Sequence, residues 1–122
     1  MTLRELYATI DGDYDQALKV LRVERLLDKH IRRLTTRGAV DKLIACADAM
    51  DPHELFESAH AVKGLCANLG LIKLSDLASD IAEEYREGNE RTLTDDEVKD
   101  KLALIAELYD RTVKGINAYV SA

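Results

Sequence analysis

The apolar residues of this chain recur at intervals of three and four along almost its whole length. That spacing places side chains on one face of an α-helix, so it predicts a succession of amphipathic helices rather than strands. The predicted inward positions, segment by segment, are Leu3, Leu6, Tyr7 and Ile10; Tyr14, Leu18 and Leu21; Val23, Leu26, Leu27, Ile31 and Leu34; Val40, Leu43, Ile44 and Ala47; Leu74, Leu77, Ala78, Ile81 and Tyr85; and Val98, Leu102, Ile105, Tyr109, Thr112, Ile116 and Tyr119.

Glycines mark the predicted ends of several helices. Gly12 separates the first two segments, and Gly88 closes the helix that precedes the last one. Gly38 marks either a break or only a kink in a helical stretch that continues to Met50. Gly70 is expected to end its helix in the left-handed conformation that glycine adopts readily.

Two helices carry clear N-terminal signals. Asp51 can cap a helix that has Pro52 at its first position, where the missing N–H costs nothing, and this helix is expected to run to about Leu69. Thr94 and Glu97 form a capping box at the start of the last helix, whose inward positions form a bundle seam of about three heptads.

These elements predict an all-α protein, an antiparallel up-down four-helix bundle with short extra N-terminal helices. A chain of 122 residues with one proline and six glycines fits a single domain over residues 1–122. We expect residues 23–120 to form the bundle and residues 1–22 to be N-terminal packing segments.

Composition narrows the functional classes. The net charge of −6 is spread through the chain, so a basic face for nucleic acid or for anionic lipid is not expected. Apolar stretches are too short to span a membrane, and Arg4 and Glu5 interrupt any signal-peptide-like start. We therefore expect a cytoplasmic protein, in which Cys46 and Cys66 are reduced thiols.

The helix predicted over residues 51–70 carries the candidate chemistry. On a helical wheel its apolar residues cluster on one side, and His60 lies opposite the middle of that cluster. The imidazole is therefore expected in solvent rather than in the core. Near pH 7 such a ring is largely unprotonated and nucleophilic, which suits it to reversible carriage of a phosphoryl group.

The neighbours of His60 on this face fit that chemistry. Lys63, one turn later, can offset the negative charge of a group attached to the ring, and Phe56, one turn earlier, offers an aromatic docking patch. Gly64 costs roughly 1 kcal/mol of helix stability relative to alanine, and with Ala67 it leaves the imidazole open to another protein's active site.

The stretch from His60 to Gly70 resembles the signature of the histidine phosphotransfer (HPt) domain, H-x-x-K-G-x-x-x-x-x-G. The matching positions are His60, Lys63, Gly64 and Gly70, and Asn68 and Leu69 are residues frequent in that stretch. The resemblance implies that His60 takes a phosphoryl group from the phospho-aspartate of a receiver domain and returns it to another receiver. It also implies that Lys63 neutralises charge and that Gly64 makes steric room.

The same resemblance implies the partners. They are receiver domains of response regulators or hybrid histidine kinases in two-component signalling, and the receiver supplies Mg²⁺ and most of the catalysis. The chain itself has no nucleotide-binding loop, so we expect a monomeric phosphocarrier without kinase activity, metal or cofactor. The predicted receiver-binding positions are Phe56, Gly64, Ala67, Asn68 and His53.

Three other interpretations of the sequence are open. Glu57 and His60 have the Glu-x-x-His spacing of di-metal carboxylate bundles, but there the pair must point into the bundle. A histidine-kinase dimerisation helix would want an acidic residue where Ala61 stands, together with an ATP-binding domain. A purely structural helical adaptor would leave Gly64 unexplained.

Overall fold

The computed structural model describes residues 1–121, which form seven α-helices and no strand. The helices are α1 (Leu3–Thr9), α2 (Tyr14–Leu21), α3 (Glu24–Arg37), α4 (Ala39–Ala45), α5 (Pro52–Asn68), α6 (Ile72–Glu84) and α7 (Asp95–Ser121). The all-α class and the helical bundle predicted from the sequence are thus confirmed.

The four-helix bundle is made of α5, α6 and α7 together with α3 and α4, which jointly take the place of one helix. Gly38, in the left-handed conformation at φ +72°, is a true break between α3 and α4 rather than a kink. The α3 and α7 helices run antiparallel, since Tyr109 Oη lies 3.5 Å from the Leu34 carbonyl while Tyr119 Oη lies 2.5 Å from Asp28 Oδ1 further along. The short connection after α5 makes α5 and α6 an antiparallel hairpin.

The core contains most of the predicted inward residues. All four positions of the first segment and six of the seven in the last helix are buried, with Tyr119 only half-buried. Two positions were wrong, because Val23 and Leu26 are 46% and 36% exposed. Val23 is the N-cap of α3, and Leu26 lies in its first turn. No neighbouring helix covers this turn, and the periodicity of a single helix cannot predict that.

Two helix ends also differ from the sequence prediction. The α4 helix ends at Ala45 rather than near Met50, because the amides that follow bond to carbonyls three residues back and tighten the chain into turns. The α6 helix ends at Glu84, before Gly88. Beyond it, Asn89 Nδ2 donates to the carbonyl of Glu83 at 2.9 Å and closes the helix end.

The N-terminal helices share the core of the bundle. Tyr7 is buried on α1, and its hydroxyl donates to the carbonyl of Leu69 at 2.7 Å, at the end of α5. Gly70 has φ +69°, as expected of a left-handed helix end, and a Cβ there would lie 2.2 Å from the carbonyl oxygen of Asp13. This glycine therefore also allows the start of α2 to pack against the α5–α6 turn.

Candidate functional site

The α5 helix presents one buried and one open face. Asp51 caps it by accepting the backbone N–H of His53 at 3.3 Å, and Pro52 occupies the first turn, as the sequence predicted. Its inward residues are buried against the neighbouring helices, namely Leu55, Ser58, Ala59, Val62 and Cys66. Burial of this stripe fixes the rotation of the helix, and so fixes which residues face outward.

His60 lies on the open face, and its side chain is exposed. Within residues 1–121 no hydrogen bond involves the imidazole, so neither ring nitrogen is held by the protein. The ring stacks on Phe56 one turn earlier, with centroids 5.6 Å apart and planes 15° apart. This contact limits the orientation of the exposed imidazole.

Phe56 is half-buried rather than fully exposed. One reason is the His60 ring, and the other is Arg86, whose guanidinium carbon lies 5.4 Å from the centre of the Phe56 ring. The aromatic ring is therefore shared by an imidazole and a cation, and only part of it is available as a docking patch.

Lys63 lies one turn after His60 and is half-buried. Its backbone carbonyl accepts a hydrogen bond of 3.0 Å from Ser75 Oγ, which ties this turn of α5 to α6. The ammonium group is close enough to Glu83 on α6 to contribute to the low pKa of that carboxyl, after the larger effect of Arg86. Lys63 thus lies one turn after His60, on the part of α5 that packs against α6.

The remaining predicted positions share this open face. Gly64, Ala67 and Asn68 are all exposed along the last turns of α5. A Cβ added at Gly64 would meet no atom within 4 Å, so the fold has no need of glycine there. His53 is exposed too, but it lies two turns before His60, about 10 Å along the helix axis.

Sequence reasoning missed Glu83 and Arg86. Arg86 Nε lies 3.1 Å from Glu83 Oε2, and Arg86 Nη2 lies 2.8 Å from Glu83 Oε1, a forked ion pair. The predicted α5–α6 hairpin could have indicated them, because Phe56 lies about as far before the turn at Gly70 as Arg86 lies after it. An antiparallel pair of helices brings such residues together.

Other chemistry-bearing groups lie apart from this face. Burial raises the pKa of the Cys66 thiol to about 12, which makes it a poor nucleophile. Glu57 is exposed like His60, so this pair does not point into the bundle as a di-metal site requires. Among residues 1–121 no three His, Cys, Asp or Glu side chains gather as a metal-binding group, and no helix there is long and apolar enough to cross a membrane.

The structure is thus a helical bundle that presents an exposed imidazole, without a hydrogen bond, on an open helix face, stacked on an aromatic ring and one turn from a lysine. The chain belongs to the Hpt domain family, since the family model described as the Hpt domain matches residues 14–114. The match begins at α2, inside the segment expected to lie before the bundle. Neither a curated protein nor a solved structure matches the chain.

Membership establishes the general activity. Hpt domains take part in histidine phosphotransfer in phosphorelays, as phosphocarriers rather than enzymes, and they interact with receiver domains. The resemblance seen from His60 to Gly70 thus agrees with a match over most of the chain.

Proposed function

We propose that His60 is the phosphoacceptor, taking a phosphoryl group from the phospho-aspartate of one receiver domain and passing it to another. The observation that carries this proposal is the exposed His60 imidazole, with neither nitrogen hydrogen-bonded, on the open face of α5 in an Hpt-family chain. His53 is exposed as well but lies outside the signature, and His30 is half-buried against Arg37.

In the transfer step, an unprotonated ring nitrogen of His60 attacks the phosphorus of the aspartyl phosphate. The new P–N bond forms as the P–O bond to aspartate breaks, and the aspartate carboxylate leaves with the electron pair. The other ring nitrogen keeps its proton. Lys63 offsets the charge of the phosphoryl group, while Mg²⁺ belongs to the receiver, so this chain needs no metal or cofactor and has no kinase activity of its own.

The docking surface for the receiver would be the open face of α5. Phe56, Gly64, Ala67, Asn68 and, at the rim, His53 lie along it. The receiver belongs to a response regulator or a hybrid histidine kinase, and the carrier acts as a cytoplasmic monomer.

His60→Gln tests the site directly. Incubation with a phosphorylated receiver should label the wild-type protein with an acid-labile, base-stable phosphoramidate, and His60→Gln should take no label while its helical circular dichroism is unchanged. The matched control is His53→Gln, which removes another exposed histidine from the same helix and should be labelled like wild type. Label retained in His60→Gln, or lost in His53→Gln alone, would refute the assignment.

A further inference from the structure

Two cationic residues neighbour the Phe56–His60 stack, and one carboxylate is paired with the first of them, Arg86. The Arg86 guanidinium lies 5.4 Å from the centre of the Phe56 ring, on the same ring that the His60 imidazole contacts. Lys63 lies on the other side of His60, one turn along α5. Glu83, exposed on the last turn of α6, binds Arg86 through both carboxylate oxygens.

The groups around Glu83 favour the charged form of its carboxyl. Hydrogen bonds from Arg86, followed by the positive charges of Arg86 and Lys63, hold the pKa of the Glu83 carboxyl below its ordinary value. The Arg86 guanidinium is thus already paired with a carboxylate when His60 carries nothing. A phosphoryl group brings up to about two negative charges and three strong acceptor oxygens, and it would compete for the same donors.

We propose that Glu83 competes with the phosphoryl group on His60 for Arg86, so that phosphorylation draws this guanidinium away from the carboxylate. This inference rests on the proposed function of His60. The consequence is that Glu83 weakens the hold of the protein on the phosphoryl group, so the group stays easy to pass on. Without Glu83 the phosphorylated form should be more stable.

The equilibrium with a free phosphoimidazole measures this effect directly. In the exchange, a ring nitrogen of His60 attacks the phosphorus, the P–N bond to imidazole breaks, and free imidazole leaves. One P–N bond replaces another, so the equilibrium constant reports how the protein surroundings act on the phosphoryl group. Phosphorus NMR at equilibrium counts both phosphorylated species without any receiver present.

Glu83→Gln should raise this equilibrium constant about three- to fivefold at low salt, which is the size expected for an exposed ion pair. The increase should be smaller in 0.5 M salt, because the screening length there is only roughly 4 Å. Asp80→Asn is the matched control. It removes one carboxylate from the same helix, but Asp80 pairs with Lys101 of α7 at 3.2 Å. This control should change the constant less than about 1.5-fold.

A second readout does not depend on transfer. The Arg86 Nε–H, held by Glu83, should give its own proton–nitrogen NMR signal, which should shift when His60 is phosphorylated and be lost in Glu83→Gln. If wild type is labelled but Glu83→Gln equals Asp80→Asn, or the Arg86 signal ignores phosphorylation, the inference alone is overturned. If wild type takes no more label than His60→Gln, the proposed function falls and this inference with it.

Discussion

Gly64 is exposed within α5, one turn before the end of the helix, where helix propensity disfavours glycine and where the fold leaves room for a side chain. Nothing within 4 Å would meet an added Cβ. The packing of the folded chain therefore does not require a glycine here. Under the proposed function, clearance for a receiver one turn from His60 would explain it.

Gly64→Ala should raise the free energy of unfolding by up to about 1 kcal/mol, because it replaces the flexible residue without any clash. Gly64→Gln should also leave the melting temperature within a few degrees or raise it. Its transfer rate from a phosphorylated receiver should nevertheless fall at least about tenfold, equal to about 1.4 kcal/mol of barrier, because the long side chain occupies the space of the docking partner. Stopped-flow or quench measurements give the rate.

A small phosphodonor distinguishes a loss of receiver docking from a loss of His60 reactivity in the same variant. Phosphoramidate needs no protein surface, so its reaction with His60 in Gly64→Gln should stay close to the wild-type rate. Unfolding of Gly64→Gln would mean that the glycine serves helix packing, and an unchanged rate from the receiver would mean that docking does not pass over this turn.

The connection between α6 and α7 is organised by one buried carboxylate. Glu84 accepts the backbone N–H of Thr92 at 2.6 Å and that of Leu93 at 2.7 Å, together with Arg91 Nε at 3.0 Å. Burial alone would raise the pKa of the Glu84 carboxyl, but these hydrogen bonds outweigh it and lower the pKa to about 2. The loop therefore depends on a charged Glu84.

The sign of the pH dependence follows from this shift. Because the folded pKa lies below the ordinary value of 4.5, the carboxylate stabilises the fold fully above that value and loses this effect as the pH falls towards about 2. Glu84→Gln should be less stable than wild type by about 1 to 2 kcal/mol at pH 7. Urea unfolding at several pH values should show this difference closing between about pH 5 and pH 2.

Glu90→Gln provides the comparison, since Glu90 is exposed in the same loop. Its stability should follow that of wild type within about 0.5 kcal/mol at every pH. A Glu84→Gln difference that stays constant down to pH 2 would contradict the proposed charge dependence of the loop.

The N-terminal helix joins the bundle through the longest helix. A Cβ at Gly115 of α7 would lie 2.5 Å from Ile10 Cγ2 and 3.4 Å from Leu6 Cδ1, so glycine is what allows α1 to approach α7. With the Tyr7 hydroxyl on the Leu69 carbonyl, this contact connects the first residues of the chain to both α5 and α7. The packing of the whole molecule thus includes residues that precede the family match.

Gly115→Ala and Gly64→Ala make the same chemical change in two helices and should have opposite effects. At Gly115 the overpacking cost of about 1 to 3 kcal/mol exceeds the propensity gain of about 1 kcal/mol, so the melting temperature should fall by several degrees. Calorimetry of both variants measures the contrast. Equal stabilisation by the two substitutions would show that α1 is not packed closely on α7.

Much of this fold could be predicted from patterns among residues that are close together in the sequence. The capping pairs at Asp51 and at Thr94, and the left-handed end at Gly70, involve only adjacent residues and were confirmed where predicted. The outward orientation of His60 was legible as well, because the buried stripe of α5 recurs on the same helix. The ends of α4 and α6 were not predicted from the sequence, because tightened turns and an asparagine side chain end these helices before the residues that the apolar pattern suggested.

Residues close together in the sequence determined which segments are helical and how these helices begin, because periodicity and capping act within a few residues. The same periodicity predicted that His60 and Lys63 share the open face of α5. Tertiary packing alone decided which other side chains lie around the Phe56–His60 stack. Arg86 and Glu83 reach the site only because α6 returns along α5, and Gly115 needs to be small only because Ile10 packs there. Such contacts depend on the register and spacing of helices far apart in sequence, which no local pattern encodes.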